Sequence, residues 1–331
     1  TPQSRRIRHS VFPRAPLSLA RLPRPTISIA QLNLWGRQYH GVEPVQRAMP
    51  ELPEVETVRR GLENHLMGRR IEQVELRRLD LRFPFPKGFE AMLRGRLVER
   101  IERRAKYLLI RLDNDTTWMC HLGMTGRWTL LGAENNQGDD GPHDWVVVHL
   151  DNGGRAVFSD HRRFGFMDLF ETAEQDQNRF LAKLGPEPTP DCLTPMDLAE
   201  NLRGRRTSMK AALLDQRTVA GLGNIYVCEI LFRARVSPRR TAASVAAKSG
   251  ITDRVERITA STHDVIVEAI DAGGSSISDF VNVEGELGYF SHNFQVYGRE
   301  GEPCLSEVCD ASIKRIVQSG RSTFYCPNCQ R

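Results

Sequence analysis

Four of the chain's seven cysteines lie within its last 28 residues, and this cluster constrains the fold more than any other sequence feature. The four residues are spaced as Cys304-x4-Cys309-x16-Cys326-x2-Cys329, two close pairs on either side of a short loop. Four thiolates in this arrangement suit a tetrahedral Zn²⁺ site that has no open position for catalysis. Two disulfides are the alternative, but the other three cysteines lie singly among apolar neighbours, which favours a reducing compartment. We therefore predict a zinc finger over residues 295–331 with one structural Zn²⁺.

Composition places the rest of the chain among globular proteins. Of its 331 residues, 40% are hydrophobic and 26% are charged, which is typical of a chain with two independently packed cores. No run approaches the roughly 18 apolar residues of a spanning helix, so we exclude an integral membrane protein. A disordered or fibrous chain is excluded as well, because the apolar content is ordinary and no short period repeats.

Residues 1–48 differ from the remainder in charge. They contain eight arginines, no lysine and one acidic residue, whereas the remaining residues carry 38 basic and 40 acidic side chains. This Arg-rich, acid-poor segment resembles an organellar transit peptide. We favour the simpler interpretation that it is an extension outside the mature protein, with Met49 as the initiator. Locally, residues 200–240 carry a net charge of +6, which slightly favours phosphate binding.

Hydrophobic periodicity predicts an α+β protein with a β-sandwich first and helices second. Residues 55, 58, 62 and 66 form one apolar helix stripe, and seven short β-rich runs separated by turn residues follow between 71 and 170. The segment 185–190 contains three prolines and a glycine, which indicates a domain boundary. Helical patterns follow at 193–202, 209–214, 225–235 and 254–272. We place a sandwich domain at 49–180 and a helical domain at 195–290.

A short turn with Gly221 and Gly223 precedes the helical pattern that begins at Ile225. Backbone N–H groups at such a turn can hold a phosphate at the helix N-terminus. The turn lacks the third glycine and the preceding strand of a nucleotide motif, so a plain helix–helix turn is the favoured interpretation.

Several motifs in the same order resemble the formamidopyrimidine-DNA glycosylase family over essentially all of residues 49–331. The matching segments are PELPEVETVRRGL (50–62), RRAKYLLI (103–110), HLGMTG (121–126), RRFG (162–165), LLDQRTVAGLGNIYVCEILF (213–232), QVYGREGEPC (295–304) and RSTFYCPNC (321–329). The resemblance implies a β-sandwich with flanking helices, a helix–two-turn–helix domain and a zinc finger. It also implies a monomeric bacterial enzyme of the cytoplasm that binds double-stranded DNA containing oxidised bases or abasic sites. Such an enzyme excises oxidised purines and nicks the strand by β,δ-elimination.

The resemblance implies a catalytic set of Pro50, Glu51, Lys106 and Arg321. The nucleophile is the secondary amine of Pro50, which attacks the sugar C1′ and forms a Schiff base. An amide nitrogen cannot attack because its lone pair is delocalised into the carbonyl, so Pro50 has to be the first residue. Glu51 corresponds to the general acid, Lys106 to a phosphate contact beside the lesion, and Arg321 to a contact on the DNA backbone.

The resemblance assigns a second set of residues to DNA binding. Met124, Arg162 and Phe164 correspond to the side chains that fill the gap left by the extruded base. Lys210 corresponds to a lysine implicated in oxidised-purine handling, and three further residues are implied to contact DNA: His121, Asn224 and Tyr297.

Three departures from the family pattern stand out. The first cysteine pair has four intervening residues instead of two, His161 stands where proline is typical, and residues 1–48 precede the nucleophile. Two alternatives remain beside the purine enzyme. One is an endonuclease VIII-type glycosylase for oxidised pyrimidines, and the other is a non-catalytic binder of damaged DNA if the N-terminus stays blocked.

Overall fold

The computed structural model describes residues 49–135, 141–246, 248, 250–275 and 289–331. The predicted extension over residues 1–48 lies outside these ranges. The first helix, α1 (Leu52–Leu66), has Pro53 in its first turn, where a missing N–H costs nothing. It buries one apolar stripe, and the chain leaves it through Gly68, whose φ of 72° suits glycine.

Two four-stranded antiparallel sheets follow α1. The strands are β1 (Ile71–Leu76), β2 (Val98–Arg104), β3 (Tyr107–Leu112), β4 (Thr116–His121), β5 (Arg127–Leu131), β6 (Asp144–Leu150), β7 (Arg155–Ser159) and β8 (Phe166–Glu171). One sheet has the order β1-β6-β7-β5 and the other β2-β3-β4-β8. A short helix, α2 (Phe89–Leu93), lies between β1 and β2 in the chain.

The sandwich core is apolar and rich in aromatic residues. Trp118 of β4 and Trp128 of β5 come from opposite sheets, and their rings meet edge to face with centroids 5.7 Å apart. Phe158 of β7 packs on Trp128 from the same side of the core. Burial of one such side chain stabilises the folded state by about 1.5–3 kcal/mol. This gain explains why the apolar faces of the two sheets pack against each other.

A helical region and a hairpin complete the described fold. The helices are α3 (Pro195–Leu202), α4 (Met209–Leu214), α5 (Asn224–Arg233), α6 (Ala242–Val245) and α7 (Asp253–Asp271), and the hairpin strands are β9 (Lys314–Gln318) and β10 (Arg321–Tyr325). Helix α5 is buried along almost its whole length and packs against α7 and β10. One apolar cluster therefore joins the helices, the hairpin and Leu52 at the start of α1.

The structure confirms the predicted α+β class, with the sandwich before the helices. The strand β5 and the short helices α2 and α6 were not predicted. Helices of four and five residues are too short for a 3.6-residue period to be visible, and β5 ends in two adjacent leucines that break the strand alternation. Within the described part of the chain, no helix has both the length and the apolar composition needed to cross a membrane.

Candidate functional site

The carboxylate of Glu51 is buried immediately before α1. The residue is 2% exposed, and its Oε1 accepts a hydrogen bond of 2.9 Å from the backbone N–H of Ile225. Its Oε2 is buried and has no hydrogen-bond partner among the residues that the structure describes. Burial raises the pKa of the Glu51 carboxyl to about 7, because the charge of Lys106 only partly offsets the loss of water. Glu51 can therefore gain and lose a proton near neutral pH.

The glycine turn before α5 is packed directly against Glu51 and Leu52. A Cβ on Gly223 would lie 2.2 Å from Cδ of Glu51, and one on Gly221 would lie 2.5 Å from Cδ1 of Leu52. Gly221 also has a φ of 85° and accepts a hydrogen bond from the Leu52 N–H at 3.1 Å. The Ile225 N–H at this helix N-terminus is therefore bonded to the Glu51 carboxylate, and phosphate binding at the turn stays one of the two interpretations of the sequence.

Glu54 fixes the start of α1 through four hydrogen bonds to its carboxylate, and it is not among the predicted site residues. Its carboxylate accepts hydrogen bonds from the backbone N–H of Glu51 at 2.9 Å and from the hydroxyl of Tyr226 at 2.6 Å. The N–H and hydroxyl of Ser275 add two more, both at 2.7 Å. Only the Glu51-x-x-Glu54 spacing, which is typical of a helix N-terminus, points to this residue in the sequence. Pro50, also buried, lies next to this anchored pair.

Lys106 reaches the same place from the turn between β2 and β3. The residue is 5% exposed, and the preceding Ala105 has a φ of 51°. Burial lowers the pKa of the Lys106 ammonium, the charge of Glu51 opposes this change, and the charge of Arg321 adds to it. Lys106 is therefore close enough to interact electrostatically with both Glu51 and Arg321.

Lys210 is fully buried and joins the helical region to the hairpin. Its Nζ donates to the backbone carbonyl of Ser322 at 2.7 Å and to the Thr323 hydroxyl at 2.6 Å. Asn224, at the start of α5, donates to the same Ser322 carbonyl at 3.0 Å. These bonds fix β10 next to Arg321, whose own side chain is exposed.

Tyr297 lies in a segment that the buried carboxylate of Glu229 holds. Three successive backbone N–H groups, of Gln295, Val296 and Tyr297, donate to Glu229 at 2.8–3.0 Å. The Tyr297 ring packs edge to face on Phe324 of β10, with centroids 5.1 Å apart. Burial raises the pKa of the Tyr297 hydroxyl to about 12, so the hydroxyl stays protonated and can donate a hydrogen bond.

Arg162 and Phe164 lie together on one loop of the sandwich. The Arg162 guanidinium stacks over the Phe164 ring at 4.8 Å, and Phe164 is 42% exposed. The backbone N–H of Arg162 donates to the hydroxyl of Thr125 at 3.2 Å, next to Met124 in the HLGMTG segment. The two loops that carry Met124, Arg162 and Phe164 are thus bonded to each other.

Buried Asp160 holds these two loops in place. Its carboxylate accepts from the Thr125 hydroxyl at 2.5 Å and from the Gly165 N–H at 2.8 Å. A Cβ on Gly123 would lie 2.2 Å from the backbone N of Gly165, so only glycine fits between the loops. Gly123 belongs to the HLGMTG motif and Asp160 lies two residues before the RRFG motif, but nothing in their spacing indicates this contact.

His121 supports the Met124 loop from the end of β4. Its ring stacks on Phe166 with centroids 5.1 Å apart, and its Nδ1 accepts a hydrogen bond from the Gly123 N–H at 3.0 Å. Burial lowers the pKa of His121 to about 3, and the charges of Lys106 and Arg82 add to the effect, so the ring is neutral. Its predicted contact with DNA stays a prediction.

The four cysteines come together as a candidate metal centre. All four sulfur atoms lie within 4.8 Å of one another, with Cys304–Cys329 at 3.8 Å and Cys309–Cys326 at 3.6 Å. Zn–S bonds of about 2.3 Å put the sulfurs of a tetrahedral site about 3.8 Å apart. The geometry therefore fits one structural Zn²⁺ with four thiolate ligands.

Comparisons with known proteins match three consecutive family models. These are the formamidopyrimidine-DNA glycosylase N-terminal domain over residues 49–167, the H2TH domain of the same enzymes over residues 184–281, and the zinc finger found in FPG and IleRS over residues 301–331.

Curated relatives agree with the family models. The formamidopyrimidine-DNA glycosylases of Chelativorans sp. and Ruegeria pomeroyi are 52% and 53% identical, and each alignment covers 86% of this chain and 100% of the relative. Among solved structures, a Lactococcus lactis Fpg bound to abasic-site DNA has a TM-score of 0.76 at 33% identity and covers 85% of this chain and 99% of its own. A MutM complex with DNA containing carbocyclic 8-oxo-G has a TM-score of 0.75 at 33% identity, covering 85% of this chain and 100% of its own.

Proposed function

The chain belongs to the formamidopyrimidine-DNA glycosylase family of base excision repair enzymes, and we propose that Pro50, Glu51, Lys106 and Arg321 perform its glycosylase and AP lyase chemistry. The observation that carries this proposal is the environment of Glu51. A buried carboxyl with a pKa of about 7 lies next to the family's nucleophile position and interacts electrostatically with Lys106. A proton donor of this kind is what opening of a deoxyribose ring needs near neutral pH.

We propose that the Pro50 amine is the nucleophile and that residues 1–49 are absent from the active enzyme. A free α-amine has a pKa near 8, so a substantial neutral fraction exists at pH 7. Two findings support this boundary. The first family model begins at residue 49, and the curated relatives are covered in full by 86% of this chain.

In the proposed reaction, the Pro50 nitrogen forms a bond to C1′ while the bond from C1′ to the damaged base breaks. The base leaves with the bonding electrons, and the proton that it takes up is balanced by the one that the Pro50 nitrogen loses after its attack. Glu51 then gives its proton to O4′ as the C1′–O4′ bond opens, which leaves an iminium between Pro50 and C1′. Elimination at the 3′ and then the 5′ phosphate completes the β,δ-elimination that the family resemblance implies.

The remaining predicted residues would bind the DNA around this centre. Arg321 is exposed beside the Ser322 carbonyl that Lys210 and Asn224 hold, so it can reach a phosphate from a fixed backbone position. Arg162 and Phe164 present a guanidinium and an exposed ring from one loop, which suits hydrogen bonding to an orphaned base and filling of the gap. Met124 lies on the loop bonded to theirs.

For the substrate, we propose double-stranded DNA with oxidised purines or abasic sites. The similar solved structures contain DNA with an abasic site or with carbocyclic 8-oxo-G, which favours purine lesions over the oxidised pyrimidines of the alternative. The curated relatives are bacterial, so we propose that the enzyme acts as a monomer on the nucleoid DNA of a bacterial cytoplasm.

Borohydride trapping tests the proposal directly. An 8-oxoguanine:cytosine duplex is incubated with cyanoborohydride and either the 1–331 chain or a chain that begins at Pro50. We expect a covalent adduct only with the chain that begins at Pro50, since the iminium that the hydride reduces can form only from a free amine at Pro50. An adduct of equal yield from a chain whose N-terminus is verified to be Thr1 contradicts the role of Pro50, and DNA binding without any adduct favours the non-catalytic binder.

A further inference from the structure

The segment before α3 contains a carboxylate that the proposed chemistry does not use. Glu187 accepts three hydrogen bonds of 2.6 Å: from Arg103 and Arg104 side chains and from the backbone N–H of Ala105. Its side chain is only 15% exposed. Burial by itself would raise the pKa of Glu187, but Arg103 and the other donors outweigh it, so the pKa is lowered and the group stays ionised.

All three donors belong to the turn that presents Lys106. Ala105 is fully buried and has a φ of 51°, a left-handed conformation that a non-glycine residue keeps only where its surroundings hold it. The hydrogen bond from its N–H to Glu187 holds the residue immediately before Lys106. Arg104 adds a bond of 2.6 Å to the carbonyl of Gly185, so the turn is tied to the segment at two points.

The same segment is also bonded to the helical region. The Gly185 N–H donates to the carbonyl of Gln216 at 2.8 Å, and the Ala220 N–H donates to the carbonyl of Pro186 at 2.9 Å. A Cβ on Gly185 would lie 2.5 Å from the carbonyl oxygen of Arg217, so no side chain fits there.

The contact continues to the glycine turn that packs on Glu51. The Gln216 side chain accepts from the Gly221 N–H at 2.8 Å and donates to the Leu222 carbonyl at 2.9 Å. Residues 185–187 therefore bond directly to the turn that carries Lys106, and through Gln216 they are connected to the turn that holds Glu51.

We propose that Glu187 is a positioning residue for the reaction: its carboxylate holds the 103–105 turn so that the Lys106 ammonium faces Glu51. This inference rests on the proposed role of Lys106 and adds a residue remote from the DNA contacts. Glu187 acts only through Lys106, so its removal has no consequence once Lys106 is gone. A displacement of about 1 Å in a reacting group costs up to about 100-fold in rate.

A double-mutant cycle tests this coupling in chains that begin at Pro50. The single-turnover rate of 8-oxoguanine excision is measured at saturating enzyme for wild type, Glu187→Gln, Lys106→Ala and the double variant. We expect Glu187→Gln to lower the rate about 5- to 10-fold, no more than removal of Lys106 does, and to change it less than about twofold in the Lys106→Ala background. Equal fold losses in both backgrounds, or no loss in either, overturn the inference.

Matched variants separate positioning from stability. Glu268→Gln removes another carboxylate bonded to one arginine, Arg233, at 2.6 and 2.7 Å, and it should leave the excision rate unchanged. If Glu187→Gln does not fold, Arg104→Lys serves in its place, because lysine keeps the charge but loses the paired bonds to Glu187 and Gly185. Arg104→Lys is then expected to lower the excision rate when Lys106 is present and to leave it unchanged in the Lys106→Ala background.

The outcomes also separate this inference from the proposed function. An unchanged rate in Lys106→Ala refutes the role of Lys106 itself and the inference with it. A large loss in Lys106→Ala with an unchanged rate in Glu187→Gln refutes only the positioning role.

Discussion

Two regions of the molecule bury a lysine, and they use it differently. At the hairpin, Lys210 is bonded to the Ser322 carbonyl and the Thr323 hydroxyl, and both acceptors belong to β10. At the turn between β2 and β3, Lys106 lies beside the Glu51 carboxylate, one oxygen of which has no partner among the described residues. A buried charge that is bonded to two acceptors of a strand supports a structure, whereas a buried pair with an unpartnered oxygen keeps its capacity to bind a ligand or transfer a proton.

The same difference separates the carboxylates. Glu54 and Glu229 each accept three or more hydrogen bonds and hold backbone segments in place. Among the described residues, the Glu51 carboxylate accepts from the Ile225 N–H through Oε1, and its Oε2 has no partner. Hydrogen bonds therefore fix the backbone around Glu51, whereas the Glu51 carboxylate itself is left with an unpartnered oxygen.

Removal of the Glu51 carboxyl should give the largest loss of excision rate. A small loss would contradict the contrast between Glu51 and the structural carboxylates Glu54 and Glu229. We expect Glu51→Gln to reduce single-turnover excision by about 10²- to 10⁴-fold, the usual contribution of a positioned general acid. Affinity for undamaged duplex should stay within about threefold. Glu63→Gln, on the outer face of the same helix, is the matched control, and unchanged excision by Glu51→Gln would contradict the acid role.

The stability of the enzyme should depend on pH through Glu51. Its pKa is about 7 in the folded state against 4.5 for the free group, so the folded state holds the proton more tightly. Wild type should therefore lose about 3 kcal/mol of unfolding free energy relative to Glu51→Gln as pH rises from 4.5 to 7, and nothing further above that. Denaturant titrations at several pH values measure this difference; a constant difference would show that Glu51 is not buried as described.

Loss of the metal should affect the hairpin and leave the sandwich intact. We expect Cys326→Ser to lose Zn²⁺ and to weaken duplex affinity about 10- to 100-fold, because Arg321 loses its fixed position and a charge-assisted bond is worth about 1.5–3 kcal/mol. Zinc stoichiometry and duplex titration are measured together. Cys192→Ser, at an exposed free cysteine, is the control. Full affinity in a zinc-free Cys326→Ser would separate the metal from DNA binding.

Substitution of Lys106 and of Lys210 in separate variants tests the difference between the two buried lysines most directly. The expected changes in stability and excision rate are the smallest among these variants. Lys210→Met should lower the unfolding free energy by about 1–3 kcal/mol, since the Ser322 carbonyl and Thr323 hydroxyl lose a buried donor. Lys106→Met should reduce excision about tenfold without loss of stability, because a desolvated charge has been removed. Melting temperatures and excision rates are compared, and a reversed pattern would exchange the roles assigned to the two residues.

Sequence alone predicted the parts of the molecule that local spacing determines. The zinc finger follows from Cys304, Cys309, Cys326 and Cys329, and the sandwich follows from alternating runs between turns. The family motifs then drew attention to Pro50 and Glu51. Each of these predictions uses residues that are close in the sequence or that form a motif.

Contacts between distant segments could not be predicted in this way. The bond from the Ile225 N–H to Glu51 spans 174 residues, and the bond from Lys210 to Thr323 spans 113. The family resemblance gave Lys210 a role and Glu187 none. The burial of Lys210 depends on the hairpin, and the bonds of Glu187 depend on residues 103–105, so neither has a local sequence signal. Tertiary packing, which has no local pattern, decides their roles.

The Ser322 carbonyl, to which both Lys210 and Asn224 donate, has a consequence for how the protein tolerates mutation. Every amino acid supplies a backbone carbonyl, so no substitution at position 322 deletes this acceptor, although it can remove the hydroxyl that accepts from Arg315. A substitution of Ser322 therefore leaves this acceptor in place, whereas a substitution of Lys210 or Asn224 removes one of its two donors. Genetic variation that loosens the hairpin should accumulate at positions 210 and 224 in inactive alleles, and rarely at 322.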